Sequence, residues 1–479
     1  MGENEVRDHC GFFVAYSPHD VYKGLQAEQH RGREAAGIGV VRDNHVTAVK
    51  WLGNVSALKL QTIIQILGAE RAVYLGHVRY ATSGRKDPRK LLEDAHPHTI
   101  GGEVQIYPQD DSDNPTHMII TRARIAGVHN GTIYPGSMDS IDGCDFTDLQ
   151  TGCDTEAFLR VYDKLGADET MKRIPSSFSI AIADAKMRGA LVMRDRFGLM
   201  PAWLGEKDGY IIAASEDEAI RQIGGKPIRE VDAGEIVHLK GQSFESRSTV
   251  PPNWRRCFFQ INYVMHRDSH FGGRWVYNDR FNLGRQLARE FKPDVDFVTY
   301  IPECPEDLAL GYSHESGIPL RKIFYKKNDE RSFQGPTPDE RRSSIKRNLH
   351  LIDGENVRDK RILIVDDSII RANNSPHAIN LARQSGAEYV ALAVGTPMIG
   401  RNRKGCVFGV DMPDNDDFVA AECDGDLERI SSRIGADDVY YISKEGQFQV
   451  LGPEENYCTR CIGGSDPVEE AGLIKPAGR

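Results

Sequence analysis

Two adjacent carboxylates follow an apolar segment of this 479-residue sequence and are the first residues whose chemistry can be interpreted. The strand-like run Arg361–Val365 leads into Asp366, Asp367 and Ser368, and a polar stretch precedes the next helical pattern. Ligands of open α/β sheets bind beyond the carboxyl ends of the strands, where such acids can hold ribose hydroxyls or hydrated Mg²⁺. The same residues could instead form a turn in which Asp and Ser cap a helix, so both interpretations stay open.

Four of the nine cysteines could bind a metal centre. Cys458 and Cys461 form a C-x-x-C pair, a chelating spacing shared by zinc sites, iron–sulfur sites and redox dithiols. Cys257 and Cys406 could supply the two further thiolates that a closed site needs. The spacing alone does not choose between these possibilities, because buried cysteines often serve only as small apolar residues.

Cys10 is a candidate nucleophile near the start of the chain. Its thiol could attack an amide carbonyl, and Asn130 and Gly131 could donate hydrogen bonds to the resulting oxyanion. Arg79 and Asp154 could bind the carboxylate and the ammonium group of an amino acid. The sequence shows no evident His–Cys pairing, so the base could be the α-amino group of Cys10 itself, which requires removal of the nine preceding residues. The alternative is a cysteine buried in a strand.

The elements that would position these residues fall into two blocks that meet near residue 250. Short alternating apolar stretches in the first block predict a layered sheet, and Ser246–Arg256 is typical of a linker. Alternating strands and helices in the second block predict a parallel α/β sheet, and the tail from Asp466 is predicted to be frayed. The predicted strands are Cys10–Tyr16, Ala72–Val78, Phe178–Ala183, Ala190–Arg194, Tyr210–Ala214, Val298–Ile301, Arg361–Val365 and Tyr389–Gly395; the predicted helices are Asp154–Leu165, Asn278–Phe291, Pro338–Leu349 and Pro376–Ser385.

Composition narrows the class of protein. Apolar residues make up 40% and charged residues 27%, which is typical of a soluble globular protein of two to four domains at roughly 100–200 residues each. The net charge of −10 argues against a nucleic-acid or membrane-surface partner. No apolar run reaches the ~18 residues of a membrane span, and no signal peptide is evident. The sequence therefore predicts a cytoplasmic enzyme.

Sequence motifs in the first block resemble those of the amidophosphoribosyltransferase family. The segments Gln29–Gly32, Gly76–Gly84, His129–Gly131 and Arg194–Gly198 look like the motifs of its class II glutaminase half. The resemblance implies an N-terminal-nucleophile (αββα) glutamine amidotransferase domain over 10–250, preceded by a propeptide at 1–9. It assigns the nucleophile to Cys10, the oxyanion hole to Asn130 and Gly131, and glutamine binding to Arg79, Tyr80 and Asp154.

The second block resembles the phosphoribosyltransferase half of the same family. Val276–Gly284, Ser316–Pro319, Val365–Arg371 and Gly409–Pro413 carry the similarity, which implies a type I α/β domain over 257–465. By this resemblance a [4Fe–4S] cluster is held by Cys257, Cys406, Cys458 and Cys461. Phosphoribosylpyrophosphate is held by Asp366, Asp367, Ser368, Arg371, Asn373, Asn374 and Arg331, with Mg²⁺ on Asp366 and Asp367.

Several positions around that sugar-phosphate site depart from the family pattern. Pro302–Pro305 replaces the PDSG loop, so Cys304 takes the place of a hydroxyl and Pro305 removes a backbone N–H. The other departures are Glu330 for glycine, Asn348 for lysine and Ala372-Asn373-Asn374 for Gly-Thr-Thr. They favour an alternative in which the second block aminates a different acceptor or only senses a nucleotide.

The resemblance also implies a reaction and a set of partners. Phosphoribosylpyrophosphate, glutamine and water would give 5-phosphoribosylamine, glutamate and pyrophosphate, the first step of de novo purine synthesis. The expected partners are these small molecules, nucleotide inhibitors and further copies of the chain in a tetramer or dimer, with no nucleic acid and no membrane.

The first test concerns the start of the mature chain. If Cys10 acts through its own α-amino group, intact-mass spectrometry of active protein should show a chain that lacks Met1–His9. Active protein that retains these nine residues would contradict this prediction.

Overall fold

The computed structural model describes residues 10–80, 87–108, 116–326, 349–352 and 357–473, apart from 135, 136, 139, 140, 142, 143, 145, 147, 373, 411 and 416. The predicted propeptide at 1–9 and the predicted ligands Arg331 and Asn373 lie outside the described residues. Glu330, Asn348 and residues 338–348 of a predicted helix lie outside them as well. No helix in the described ranges has the length and apolar character needed to cross a membrane.

Two antiparallel sheets form the centre of the first part of the chain. Alternate residues of a strand point to opposite faces, and this pattern separates two cores. Phe12 and Val14 pack against the second sheet, whereas Phe13 and Ala15 pack beneath helices. The nine strands of the first sheet are, in spatial order, Lys226–Glu230, Trp203–Lys207, Tyr210–Ala214, Gly11–Ala15, Val73–Arg79, Ala35–Arg42, His45–Leu52, His117–Ala123 and Glu103–Tyr107. The six strands of the second are Phe244–Ser248, Glu235–Leu239, Ala190–Arg194, Ser177–Asp184, Ile125–Thr132 and His98–Ile100.

Helices cover the outer faces of both sheets and complete four αββα layers, as the fold prediction required. Pro18–Ala27, Leu60–Leu67 and Asp217–Gln222 pack on the nine-stranded sheet. Asp154–Arg173 packs on the six-stranded sheet and is interrupted at Gly166, whose φ of 77° is left-handed. The predicted helix ended one residue before this break. The short helix Pro88–Glu93 completes the set.

A parallel four-stranded sheet forms the centre of the second part, in the order Phe297–Tyr300, Arg361–Asp366, Tyr389–Val394 and Asp438–Tyr441. Leu363 and Val365 face one core and Ile362 and Ile364 face the other. The surrounding helices are Val276–Glu290, Glu306–Ser316, Ser375–Gln384, Val419–Glu422, Leu427–Ile434, Lys444–Leu451 and Pro467–Glu470. Two-stranded pairs join Arg256–Cys257 to Tyr457–Cys458, His270–Phe271 to Arg274–Trp275, and Phe324–Lys326 to Leu349–Leu351.

The prediction of a frayed tail from Asp466 was wrong for the described part of the tail, which extends to Leu473. Asp466 caps the helix Pro467–Glu470 by accepting from the Val468 and Glu469 amides at 2.9 and 3.2 Å, and it pairs with Arg460 Nε at 3.0 Å. Val468 is fully buried in an apolar cluster with Phe197, Leu199 and Phe408. The polar composition of the tail did not indicate that Val468 would be buried.

Two other boundaries differ from the predictions. The predicted linker at Ser246–Arg256 begins inside the edge strand Phe244–Ser248, because three of its residues continue the antiparallel ladder with Glu235–Val237. Leu349, predicted as the end of a helix, instead begins a strand that pairs with Phe324–Lys326. The other predicted strands, and the helices near 276 and 375, are confirmed to within two residues.

A buried ion pair links the two parts of the chain. The Arg31 guanidinium is fully buried against Glu216, and its Nη2 donates to Gln260 Oε1 at 3.0 Å. Glu216 Oε2 also accepts from the His266 amide at 2.8 Å. Although burial opposes ionisation, the charges of His30 and Arg31 hold the pKa of Glu216 far below its usual value. The carboxylate is therefore charged and neutralises Arg31.

Removing this carboxylate should destabilise the protein strongly. Glu216→Ala removes the hydrogen-bonded carboxylate of Arg31 and leaves only the Glu28 carboxyl, whose Oε2 is 3.8 Å from Arg31 Nε, so we expect a loss of about 3–5 kcal/mol in the free energy of unfolding. The matched control is Glu103→Ala, which breaks the exposed pair with Arg122 at 2.9 Å and should cost about 0–1 kcal/mol. Scanning calorimetry compares the two, and equal losses would refute the assigned role of Glu216.

Candidate functional site

Cys10 lies at the start of a central strand of the nine-stranded sheet. Its Sγ lies 3.8 Å from the Tyr80 carbonyl oxygen, and its own carbonyl accepts from Arg31 Nε at 3.0 Å. Burial raises the pKa of the Cys10 thiol to about 12, although the positive charges of Arg79 and Arg31 lower it. The thiol is therefore protonated at neutral pH and needs a base when it attacks.

Asn130 and Gly131 lie in the facing sheet, in the strand Ile125–Thr132. Asn130 is fully buried, and neither polar atom of its side chain has a hydrogen-bond partner among the described residues. A buried amide left in this state costs about 1–3 kcal/mol, which a ligand could recover. Gly131 has a φ of 137°, and a Cβ there would lie 2.3 Å from the Ser177 carbonyl oxygen, so only glycine fits.

Asp154 and Arg79 approach the same site from two directions. Asp154 begins a helix, and its Oδ2 accepts from the Ile133 amide at 2.7 Å, two residues beyond Gly131. Arg79 is 3% exposed and lies 3.7 Å from Asp94. The charges of Arg79 and Asp154 both shift the pKa of Cys10, in opposite directions. The structure thus brings Cys10, Arg79, Tyr80 and Asp154 together, close to the strand of Asn130 and Gly131.

A hydrogen bond from a histidine side chain joins the two facing sheets at this site. His77, which is fully buried, lies in the strand next to that of Cys10, and its Nε2 donates to the His129 carbonyl at 2.9 Å. Burial lowers the pKa of His77 to about 3, so the ring is neutral. His129 directly precedes Asn130, so this hydrogen bond fixes the candidate oxyanion strand relative to the candidate nucleophile.

The acidic pair lies at the carboxyl end of the strand Arg361–Asp366, as predicted for a ligand site. Burial and the charge of Asp367 raise the pKa of Asp366 to about 8, and burial raises the pKa of Asp367 to about 6. Ser375 Oγ donates to Asp366 at 2.9 Å, and Ser368 Oγ donates to Asp367 at 2.8 Å. Two buried acids that resist ionisation together suit a cation-assisted site, because a cation favours both charges.

Asp367 lines a cavity that also contains two of the departures from the family pattern. The cavity is lined by Asn262, Arg280, Leu283, Cys304, Pro305, Leu308, Asp367 and Gly395. Cys304 Sγ donates to the carbonyls of Asn262 and Tyr263 at 3.3 and 3.6 Å. Cys304 Sγ is thus hydrogen-bonded to the backbone, and Cys304 lines the same cavity as Asp367.

The loop after the acidic pair holds the remaining described candidates. Arg371 and Asn374 are half-buried, and Asn374 directly precedes the helix Ser375–Gln384. Ala372 has a φ of 52°, a left-handed conformation that costs a residue with a Cβ roughly 1–2 kcal/mol. Residue 372 therefore has a backbone conformation that glycine would adopt without this cost, although the residue here is alanine.

The four predicted cluster cysteines line one cavity. The cavity is bordered by Cys257, Cys406, Cys458 and Cys461, with apolar neighbours that include Phe259 and Phe408. Cys257 and Cys458 are register partners in a parallel strand pair, and Phe408 N–H donates to Cys406 Sγ at 3.3 Å. Among the described residues, no three of these sulfurs lie within 4.8 Å of one another, as a single zinc ion would need. Four thiols around one shared, mostly apolar cavity suit a multi-iron cluster better than a single ion.

Sequence reasoning missed the buried groups that support the first site. His96 and His98 lie next to Asp94, and the ring centroids of His77 and His96 are 4.0 Å apart. The H-x-H spacing of His96 and His98 was the sequence feature that could have indicated these buried groups. Arg31 was noted only as part of a motif, and its burial against Glu216 had no signal in sequence.

This fold and these residues define a glutamine amidotransferase, and comparison with known proteins agrees. Residues 108–249 match the family model described as a glutamine amidotransferase domain. The amidophosphoribosyltransferase of Methanothermobacter thermautotrophicus is 32% identical over 98% of this chain and 96% of its own. That of Methanocaldococcus jannaschii is 29% identical over 96% of this chain and 98% of its own. The chain belongs to the amidophosphoribosyltransferase family.

Solved structures extend the similarity to the fold of both parts. The glutamine phosphoribosylpyrophosphate amidotransferase from B. subtilis, complexed with ADP and GMP, has a TM-score of 0.78 and 25% identity, over 96% of this chain and 97% of its own. A structure described as the allosteric regulatory enzyme of purine biosynthesis gives 0.80 and 25%, over 96% of each chain.

The buried amide of Asn130 provides the test of the first site. Asn130→Ala removes a side-chain donor that could face an oxyanion, so we expect kcat for glutamine hydrolysis to fall about 10²–10³-fold with a smaller change in KM. Steady-state kinetics measure both parameters. The control, Asn54→Ala, changes an exposed asparagine and should leave kcat unchanged. A rise in KM alone would place Asn130 in substrate binding instead.

Proposed function

We propose that this chain is a glutamine-dependent amidophosphoribosyltransferase. It transfers the amide nitrogen of glutamine to C1 of phosphoribosylpyrophosphate, with release of glutamate and pyrophosphate, and water supplies the oxygen of the new carboxylate. The observation that carries the proposal is that 98% of the chain aligns with an amidophosphoribosyltransferase, so the similarity covers both sites. We assign 10–250 to a glutaminase domain and 257–465 to a phosphoribosyltransferase domain.

In the first half-reaction Cys10 Sγ attacks the side-chain carbonyl of glutamine. The proton of the thiol passes through the α-amino group of Cys10, exposed by loss of residues 1–9, to the departing ammonia. Asn130 and Gly131 stabilise the oxyanion, while Arg79, Tyr80 and Asp154 hold the amino-acid end. Water then hydrolyses the thioester to glutamate and restores the thiol.

In the second half-reaction ammonia displaces pyrophosphate from C1 of the sugar. Asp366 and Asp367 bind the ribose hydroxyls, and Ser368, Arg371, Asn373, Asn374 and Arg331 bind the 5-phosphate and the diphosphate. Mg²⁺ held by Asp366 and Asp367 would neutralise the departing diphosphate. The buried carboxyl pair supports this assignment. Two adjacent buried carboxylates are unfavourable when both are charged, so they favour a ligand whose cation or hydroxyl groups compensate that charge.

Cys257, Cys406, Cys458 and Cys461 would hold a [4Fe–4S] cluster with a structural function. Bound there, the cluster would cross-link three separate segments and tie the tail to the body of the protein. The shared cavity of the four thiols supports this role. We further propose that the enzyme acts in the cytoplasm, forms a homo-oligomer and is inhibited by nucleotides, the class of ligand bound by the B. subtilis structure.

An anaerobic assay of glutamate and pyrophosphate release separates the two half-reactions. With glutamine, Mg²⁺ and phosphoribosylpyrophosphate we expect equal amounts of both products. Cys10→Ala should lose glutamate release but keep pyrophosphate release when ammonium replaces glutamine. Asp367→Asn should lose pyrophosphate release and keep glutamine hydrolysis, because the two sites are chemically separate.

One outcome would overturn the second half of the proposal. Glutamate release without any pyrophosphate would mean that the pocket containing Cys304 and Pro305 serves another ammonia acceptor or binds a nucleotide only. Failure of glutamate release from the wild-type protein would overturn the first half.

A further inference from the structure

A second cluster of metal-binding side chains lies in the glutaminase part, apart from the four cysteines discussed above. His96, His98 and Cys153 each place a ligand atom within 4.8 Å of the other two. The two histidines are only 3% and 2% exposed, and Cys153 is half-buried immediately before the helix Asp154–Arg173. The proposed reaction uses none of these three side chains.

The hydrogen bonds of His98 leave one of its ring nitrogens able to bind a metal. His98 Nε2 lies 3.2 Å from the Asp94 carbonyl oxygen. A carbonyl only accepts, so Nε2 carries the proton and Nδ1 of the neutral ring presents a lone pair. A metal-binding histidine is oriented in the same way in known sites, through a backbone acceptor on its other nitrogen.

The hydrogen bonds of Thr155 determine in the same way which ring nitrogen of His96 carries the proton. His129 Nε2 faces the Ser177 carbonyl at 3.4 Å, so His129 Nδ1 is unprotonated and accepts from the Thr155 hydroxyl at 3.0 Å. That hydroxyl can then only accept from His96 Nε2, at 2.9 Å, which leaves His96 Nδ1 with a lone pair. His96 Nδ1 is buried and has no hydrogen-bond partner among the described residues.

We propose that His96, His98 and Cys153 form a binding site for a zinc ion. Two neutral imidazoles and one thiolate are a donor set that zinc prefers, and a water molecule would occupy the fourth position. Zinc bonds of about 2.0–2.3 Å place tetrahedral ligand atoms about 3.3–3.8 Å apart, which is compatible with three ligand atoms that all lie within 4.8 Å of one another.

The charges around the cluster are mixed. Lys50 Nζ donates to the carbonyls of Glu93 and Ala95 at 2.9 and 2.7 Å, and Arg79 is nearby, so both cations oppose a metal ion. The Asp94 carboxylate and the thiolate of Cys153 offset them. The site therefore suits an ion that binds through strong N and S bonds rather than through charge alone.

The position of the site gives the ion a function. Asp94, on one side, pairs with Arg79, and Cys153, on the other, is bonded in sequence to Asp154. Zinc would therefore join the segment of Asp94, which pairs with Arg79, to the segment that carries Asp154, and both Arg79 and Asp154 are assigned to glutamine binding. Its role would be positional, and the metal site itself does not depend on the proposed reaction.

Metal analysis by mass spectrometry tests the site without reference to activity. Anaerobically purified protein is equilibrated with Zn²⁺, desalted, and analysed for zinc and iron in the wild type, His98→Gln, Cys153→Ala and the matched control Cys144→Ala. We expect one equivalent of zinc in the wild type and the control, and its loss in the other two with iron unchanged. Thermal melting confirms that each variant is folded.

Cobalt identifies the ligands directly. Co²⁺ bound to the wild type should give the intense d–d bands of a tetrahedral site and a thiolate charge-transfer band, and Cys153→Ala should lack the latter in difference spectra against its cobalt-free form. His96→Gln provides a second variant if Cys153→Ala does not fold. Zinc that is absent from the wild type, or that is equal in all variants, would overturn the proposal.

Discussion

The buried guanidinium of Arg31 is the interaction on which the arrangement of the two sites depends. Its Nε binds the Cys10 carbonyl, its Nη1 pairs with Glu216, and its Nη2 binds Gln260 of the second part. Burying one charge is costly unless a partner and further hydrogen bonds compensate it. Burial and the charge of Glu216 raise the pKa of the second carboxyl group of the cluster, Glu28, well above its usual value. The Cys10 carbonyl is therefore connected to the second part through the buried guanidinium, whose charge Glu216 neutralises.

A second contact between the parts reaches the candidate oxyanion strand. Gly409 lies so near that a Cβ there would be 3.2 Å from the Cα of Gly131, which leaves room for little more than glycine. Gly409 follows Cys406 in a loop that Arg460 also holds, through the Gly405 carbonyl at 2.8 Å. The cysteine cavity, the C-terminal segment and the glutaminase strand thus form one continuous packed region. Displacement of the segments that carry these thiols would therefore shift Gly131, because packed interiors transmit small displacements.

The sequence predicted those features that depend on local pattern or on the resemblance. Strands such as Ala190–Arg194 and Tyr210–Ala214 were predicted with their exact bounds because alternation and turn residues determine them. The meeting of His96 and His98 with Cys153 could not be predicted, because it depends on how a short strand packs against a helix N-terminus far away in the chain. The order of the tail was missed for a similar reason. Its stability comes from one buried valine and from the ion pair of Arg460 with Asp466, neither of which alters the local composition.

The departures at the sugar-phosphate site fall into two physical kinds. Ala372 has a left-handed backbone, a conformation that glycine adopts freely but that costs energy in alanine, and proteins tolerate such a cost where the geometry is needed. Cys304 is different, because its thiol is held by two backbone carbonyls and contributes a soft sulfur beside Asp367, where a hard cation prefers oxygen. On the assignment proposed above, the carboxyl pair that would bind the ribose hydroxyls is retained, whereas the loop at 302–305 that would face the diphosphate is changed. A sugar diphosphate that binds in this way would therefore depend on Asp366 and Asp367 more than on that loop.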